Sequence, residues 1–298
     1  MTANEAVQAQ PAENLASASR QHEITNIVLY GLIFFLLTVF GFPLYYMLIV
    51  SLMTRFEAFH WPPYLYPVSW QFQNYPEMFT RVPLLLWFRN SAFVALFQVT
   101  GVVLSSAIVG YGFARFRFPL RNVLFIITLG TMMFPSQITL IPQFVLFHRL
   151  DWINSFYPLI VPPFFGGGAF NIFLMRQFIM QIPRDLDEAA LIDGASYLRT
   201  FLSVLLPLVK PALATVAVIQ FMSSWRAFLR PLIYLQSNKR FTLAIGLRYW
   251  DAQPALGEIA YTHLMMAMCV IMTTPPIILF FSAQSIFVRG IVTTGIKG

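Results

Sequence analysis

Residues 26–53 read NIVLYGLIFFLLTVFGFPLYYMLIVSLM, and from Ile27 to Met53 no side chain is charged. A helix of about 20 apolar residues crosses the ~30 Å hydrocarbon core of a bilayer, so this stretch is long enough to span a membrane unaided. It is too long for the apolar segment of a secretory signal and lacks a small-residue cleavage site. Whatever precedes it belongs to one side of a membrane and whatever follows begins on the other.

The remainder of the chain is made of the same material. Of its 298 residues, 58% are hydrophobic and 10% charged, with a mean hydropathy of +0.68; a soluble domain carries roughly 25% charged residues. Further apolar stretches lie at 91–114, 122–147, 158–181, 208–235 and 263–288. Backbone polar groups in lipid must be satisfied within the segment, so the expected fold is an all-α membrane protein with six transmembrane helices. Residues 1–24 are polar, without apolar periodicity, and read as a disordered tail; residues 25–298 form the membrane domain. Prolines occur inside several spans (Pro135, Pro142, Pro162, Pro163, Pro275, Pro276), where neighbouring helices or a cavity can satisfy the freed backbone groups. Pro162-Pro163 followed by Gly166-Gly167-Gly168 marks span four as locally broken or very closely packed.

Charge sets the expected topology and excludes other classes. The net charge of +7 is spread singly between apolar spans, which fits membrane orientation and not nucleic-acid binding. With the N-terminus inside, ten Lys/Arg fall on the cytoplasmic side against about seven outside, and the short segment with Arg115, Arg117 and Arg121 is the strongest vote. Cys269 stands alone, so no internal disulfide or cysteine zinc cluster is available. The four histidines show no metal-ligand spacing, and no metal site is expected. The outer stretch 54–90 contains HWPPYLYPVSW, aromatic residues suited to the headgroup layer or to a partner.

One loop differs from the rest. PRDLDEAALIDGASYLRTFLSVLLP, Pro183 to Pro207, holds four acids: Asp185, Asp187, Glu188 and Asp193. Pro183 precedes a helix, Asp185 is placed to cap it, and acids in the first turn favour the helix dipole. Gly194 can end that helix in the left-handed conformation. A second helix is expected from about Ala195 toward Pro207. Ala189 and Ala190 would let another surface approach closely, beside the charge of Glu188. An ordinary amphipathic surface loop would also carry these features.

The pattern Glu188-Ala189-Ala190, three residues, Gly194, nine residues, Val204, one residue, Leu206-Pro207 resembles the signature loop of ABC-importer permeases, departing only by Val for the usual Ile. FLMRQF before it, IDGAS within it, and LPLVKPALATVAV, PLIYL and FVRGIVTTGIKG after it resemble the carbohydrate branch, specifically the second permease of maltose-type transporters. The likeness covers roughly residues 25–298. It implies that a coupling helix around Glu188, Ala189, Ala190, Asp193, Gly194 and Pro207, between helices 4 and 5, docks on an ABC ATPase dimer. It also implies a second homologous permease as a heterodimer partner, an extracytoplasmic binding protein, and a bacterial inner-membrane location. ATP and Mg would be held by the ATPase, with no cofactor in this chain. The chain itself has no Gly-Lys-Ser/Thr phosphate loop; Gly290 to Lys297 has an extra residue before the lysine. No catalytic constellation appears either.

Span five contains Ser224-Trp225-Arg226-Ala227-Phe228-Leu229-Arg230-Pro231, where many relatives have Ser-Trp-Asn-Asp/Glu-Phe. On one continuous helix Ser223, Arg226, Arg230 and Tyr234 would share an arc of about 80°, with Gln220 at its edge. An intramembrane arginine costs at least about 2.5 kcal/mol at the helix centre. These two could reach the headgroups, pair with an acid on the partner permease, or line the path and meet an anionic cargo such as an acidic oligosaccharide or a polyol phosphate. Gln137 and Asn171 are further path candidates, or simply bond to neighbouring helices. The main rival, an ion-coupled secondary transporter, would need an intramembrane carboxylate or ion site; no span contains Asp or Glu.

Overall fold

The architecture comes from a computed structural model that describes residues 3–251 and 261–295, with side chains described for 25–251 and 261–284. Among these residues every regular element is helical, as expected where lipid offers the backbone no hydrogen bonds. The side chains of the polar segment 1–24 lie outside the described set. Contacts divide the chain into two compact units, one through Asn74 together with a short segment ending at Ala267, the other holding the remainder.

In the first unit, helix α1 (Ala3–Ser51) carries the founding span. Its apolar side chains point outward all round: Ile27, Phe34 and Phe40 are each at least 70% exposed. A helix apolar on every face needs lipid or protein about it. Among its described side chains the packed ones lie at its end, where Ile49, Val50 and Met53 meet Tyr46, Ala58, Tyr64 and Met266. Asn74 Nδ2 donates to the carbonyls of Ser51 and Met53, both at 2.9 Å, satisfying acceptors that a helix end leaves open. Glu57 folds the following loop by accepting from the backbone N–H groups of Thr54 and Ser69. The aromatic stretch of that loop is exposed at Trp61, Tyr66 and Trp70.

The second unit is built around α3. After α2 (Asn74–Arg81), α3 (Leu84–Arg115) runs unbroken, then α4 (Arg121–Gly130), α5 (Leu140–Arg149), α6 (Tyr157–Ile160) and α7 (Ala169–Gln181). The loop helices α8 (Asp185–Ile192), α9 (Tyr197–Thr200) and α10 (Leu206–Leu208) come next. They lead into α11 (Lys210–Trp225), α12 (Leu229–Tyr234), α13 (Leu243–Asp251) and α14 (Thr262–Gly295), whose first residues, through Ala267, belong to the first unit. Small residues on α3 (Ser105, Ser106, Ala107, Ala114) are buried and bring α7 and α11 close, as small side chains do in membrane bundles. Tyr111, Met175, Ile179, Phe201, Leu205, Ala212 and Val216 form the core between them.

Among the described residues, four helical stretches are long and apolar enough to cross a membrane: Thr25–Ser51, Leu84–Arg115, Tyr157–Gln181 and Thr262–Gln284. A fifth exists if Tyr197–Leu208 and Lys210–Trp225, bent by 76°, count together. Three of the six expected spans, 122–147, 158–181 and 208–235, are not single helices. The stretch 122–147 breaks at Phe134, which is extended (φ −82°, ψ 121°) because Pro135 disfavours the helical region in the residue before it. The stretch 208–235 stops at Trp225 and restarts at Leu229. Pro231 has no N–H to donate back, and its ring would clash with the carbonyl four residues earlier.

The Pro-Gly run of the fourth span is both broken and closely packed. Pro162–Phe165 is a 3-10 turn, and Gly167 has φ +65° with Ser106 N only 2.7 Å from where a Cβ would stand. Gly194, by contrast, has φ +82° with open space around it. Gly167→Ala therefore adds a backbone clash to dihedral strain of about 1–3 kcal/mol, whereas Gly194→Ala meets the strain alone. Thermal unfolding in detergent should show the larger loss for Gly167→Ala; equal losses would contradict the close approach.

Candidate functional site

The loop between α7 and α11 takes its shape from local chemistry. Arg184 occupies the N-cap of α8 without a side-chain cap bond, so Asp185, expected there, is instead the first helical residue. Asp185, Asp187 and Glu188 fill the first turn, where the dipole favours negative charge. At the other end Ala195 N donates to Ala190 O (2.9 Å) and Gly194 N to Leu191 O (3.0 Å), the paired bonds of a Schellman cap around a left-handed glycine. Ser196 Oγ accepts from Arg199 N and opens α9.

The expected second helix from Ala195 to Pro207 is not continuous. It starts at Tyr197, widens into a π-helical turn at Phe201–Leu205, and breaks at Val209 (φ −93°, ψ 9°). Pro207 and Pro211, neither with an N–H to give, bracket that change of direction. Glu188, Ala189, Asp193, Gly194 and Pro207 are exposed and Ala190 is half-buried. Ile192 is 85% exposed beside exposed Leu186, Tyr197 and Leu198. The loop thus presents apolar side chains among the exposed carboxylates of Asp185, Glu188 and Asp193, an arrangement suited to a protein partner.

Beneath that surface is a contact that sequence reasoning missed. Asp187 Oδ2 lies 2.7 Å from Arg115 Nε, with side chains only 15% and 7% exposed. No aligned hydrogen bond accompanies the ion pair. Arg115 Nη2 donates to Ile182 O (2.9 Å), Arg184 Nη2 to Ala114 O (3.4 Å) and Tyr111 Oη to Tyr197 O (3.3 Å). Burial pushes the Asp187 carboxyl above the usual carboxylate range, with Arg115 and then Arg184 pulling it back down and Glu188 pushing it up. The available signal was spacing: Asp187, Ala190 and Leu191 share the half-buried face of α8.

A second feature is a polar cavity of 640 Å³ in the same unit. Gln98 of α3, Ser136 and Gln137 from the break before α5, Gln220 and Ser223 of α11, and Arg226 and Arg230 from the junction with α12 all line it. Gln220 Nε2 donates to Gln98 Oε1 (3.3 Å) and Gln98 Nε2 to Leu159 O (3.0 Å). Arg226 and Arg230 are exposed, and no ion pair involves either among the described residues. The single helical face drawn through Ser223, Arg226, Arg230 and Tyr234 does not exist, because α11 ends at Trp225. Four of its polar residues, Gln220, Ser223, Arg226 and Arg230, nevertheless meet in the cavity, where Gln137 joins them.

Tyr234 and Asn171 face elsewhere. Tyr234 is 1% exposed, donates to Gln143 Oε1 (3.4 Å) and packs edge-on against Phe147. Asn171 is buried and donates to Gly167 O (2.8 Å), closing the glycine turn ahead of α7. Gln98 carried the same signal as Gln137, an amide within an apolar span, and was overlooked.

Comparison with known proteins adds to this geometry. Residues 106–293 match the family described as binding-protein-dependent transport system inner membrane component. The chain is 34% identical over 234 residues to the arabinooligosaccharides transport system permease protein AraQ of Halalkalibacterium halodurans, covering 78% of this chain and 81% of that one. It is 34% identical over 257 residues to the sn-glycerol-3-phosphate transport system permease protein UgpE of Pectobacterium atrosepticum, covering 84% and 90%. Among solved structures it resembles a chain of a bacterial ABC transporter involved in the import of the acidic polysaccharide alginate. The TM-score is 0.78 at 26% identity, with 90% of this chain and 97% of that chain covered.

Proposed function

Since the chain belongs to the family of binding-protein-dependent transport system inner membrane components, we propose that it is the permease subunit of a carbohydrate ABC importer and forms half of a path for an acidic cargo. The observation that carries the cargo assignment is the cavity in which Arg226 and Arg230 stand exposed among Gln98, Gln137, Gln220 and Ser223. Guanidinium groups bind carboxylate and phosphate through paired, charge-assisted hydrogen bonds, and amides and hydroxyls suit sugar hydroxyls. The solved neighbour imports an acidic polysaccharide, and one curated relative is named for a phosphorylated polyol.

Membership of the family supports the following reading of the rest of the assembly. A second, homologous permease closes the open side of the cavity, and a binding protein delivers cargo from outside the bacterial inner membrane. With the N-terminus cytoplasmic, the loop 183–207 faces the cytoplasm, and α8 docks on an ATPase dimer that binds ATP and Mg. Glu188, Ala189, Ala190, Asp193, Gly194 and Pro207 form that coupling element. ATP-driven closure of the ATPases then favours one of two permease states, which requires a difference in binding between those states.

Uptake of a labelled acidic oligosaccharide into liposomes carrying the whole complex is the test. Uptake that needs ATP and the binding protein is expected. Uptake driven by an ion gradient without the ATPase would favour the secondary-transporter reading.

A further inference from the structure

We infer that Arg115 and Asp187 are positioning residues that make α3, and not the covalently continuous α9–α11, the route by which movement of α8 reaches the polar cavity. The inference rests on the reading of α8 as the element that docks on the ATPase.

Two routes lead from α8 toward the cavity. The covalent one passes through the π-helical turn Phe201–Leu205 and the break at Val209, with a bend of 76° between the flanking helices. A joint of that kind absorbs displacement. The other route is α3, unbroken from Leu84 to Arg115. It holds Gln98 in the cavity wall and Arg115 about 25 Å further along the same axis, at 1.5 Å per residue.

The foot of α3 grips the loop at its entrance, body and exit. Arg115 Nη2 bonds Ile182 O ahead of α8, and Tyr111 Oη bonds Tyr197 O after it. Those two ties hold flanking carbonyls. The Arg115–Asp187 ion pair holds α8 itself, with both side chains largely out of solvent. Burying two charges is a poor way to gain stability, because desolvation offsets their attraction. Burial also raises the Asp187 carboxyl's affinity for its proton, against the pull of Arg115. A pair retained on such terms fixes a geometry.

The test uses the complete transporter in liposomes and reads carbohydrate transported per ATP hydrolysed. Asp187→Asn, Arg115→Gln and the exchanged pair Arg115→Asp with Asp187→Arg are compared with the unaltered protein. Each single variant should still hydrolyse ATP, while the ratio falls roughly tenfold, within the 5–150-fold span of allosteric couplings. The exchanged pair should recover most of it. An unchanged ratio in both single variants, or an equal loss in the exchanged pair, overturns the inference.

Spin labels at Arg117→Cys and Ile192→Cys give a second readout that does not need the ATPase. Their distance distribution should broaden with Asp187→Asn, and an unchanged width also overturns the inference. If the unaltered complex transports without ATP, the docking reading fails instead, and the two failures remain distinct.

Discussion

Replacing Glu188 with lysine should cut ATP-driven uptake by roughly 30-fold or more while leaving the chain folded. Glu188 is exposed in the first turn of α8, flanked by Ala189 and Ala190 and by outward-facing Ile192. Within the isolated chain the reversal replaces a favourable dipole interaction with an unfavourable one, each about 0.3–1 kcal/mol at an exposed position, too little to unfold a bundle held by α3, α7 and α11. If Glu188 meets a cation on a docked ATPase, the same reversal sets like charges together. Losing one buried, hydrogen-bonded charge across an interface costs about 2–5 kcal/mol, and each 1.4 kcal/mol is about tenfold. The ATPase should co-purify poorly with Glu188→Lys and better with Glu188→Gln, which keeps the shape. A complex of Glu188→Lys with normal binding-protein-stimulated hydrolysis would remove Glu188 from the coupling surface.

Arg226→Ala together with Arg230→Ala should lower uptake of an acidic oligosaccharide by roughly 10- to 100-fold. The loss should be far smaller for a neutral oligosaccharide of equal length. A hydrogen bond to a charged group contributes about 1.5–3 kcal/mol, so one lost pairing accounts for a fall of that size. Both side chains are exposed to the cavity and no ion pair involves either among the described residues, so truncation strands no buried carboxylate within this chain. Equal losses for acidic and neutral cargo would assign the arginines to packing or to the partner permease. Unchanged uptake of the acidic cargo would remove them from the path.

The parts of the structure that were legible in the sequence are those set by local physics. The run from Ile27 to Met53 declares a membrane helix by length alone, and α8 is bounded by Pro183 and Gly194, residues whose effects act within a turn. Broken helices were less legible. Pro135 and Pro231 can be tolerated in a span or can end it, and which occurs depends on whether neighbours satisfy the freed carbonyls. Drawing one wheel through Ser223, Arg226, Arg230 and Tyr234 assumed a continuity that Pro231 denies. The cavity grouping emerged because the break keeps Arg226 and Arg230 beside Gln220 and Ser223. Tyr234, beyond the break, turned into the core. The Arg115–Asp187 pair joins residues far apart in the chain, which periodicity cannot reveal, although its members sit in two conspicuous charge clusters. Asn171 looked like a path residue because an amide in an apolar span can serve a cargo or a backbone turn, and here it bonds Gly167 O.

The most direct test of an ATP-driven path for acidic carbohydrate is the ATPase rate of the reconstituted complex, with its binding protein, on acidic and neutral oligosaccharides of equal length. Stimulation by the acidic sugars and little by the neutral ones is the predicted result. Stimulation by neutral sugars alone would contradict it, leaving an ABC permease whose cavity arginines serve packing or subunit contact.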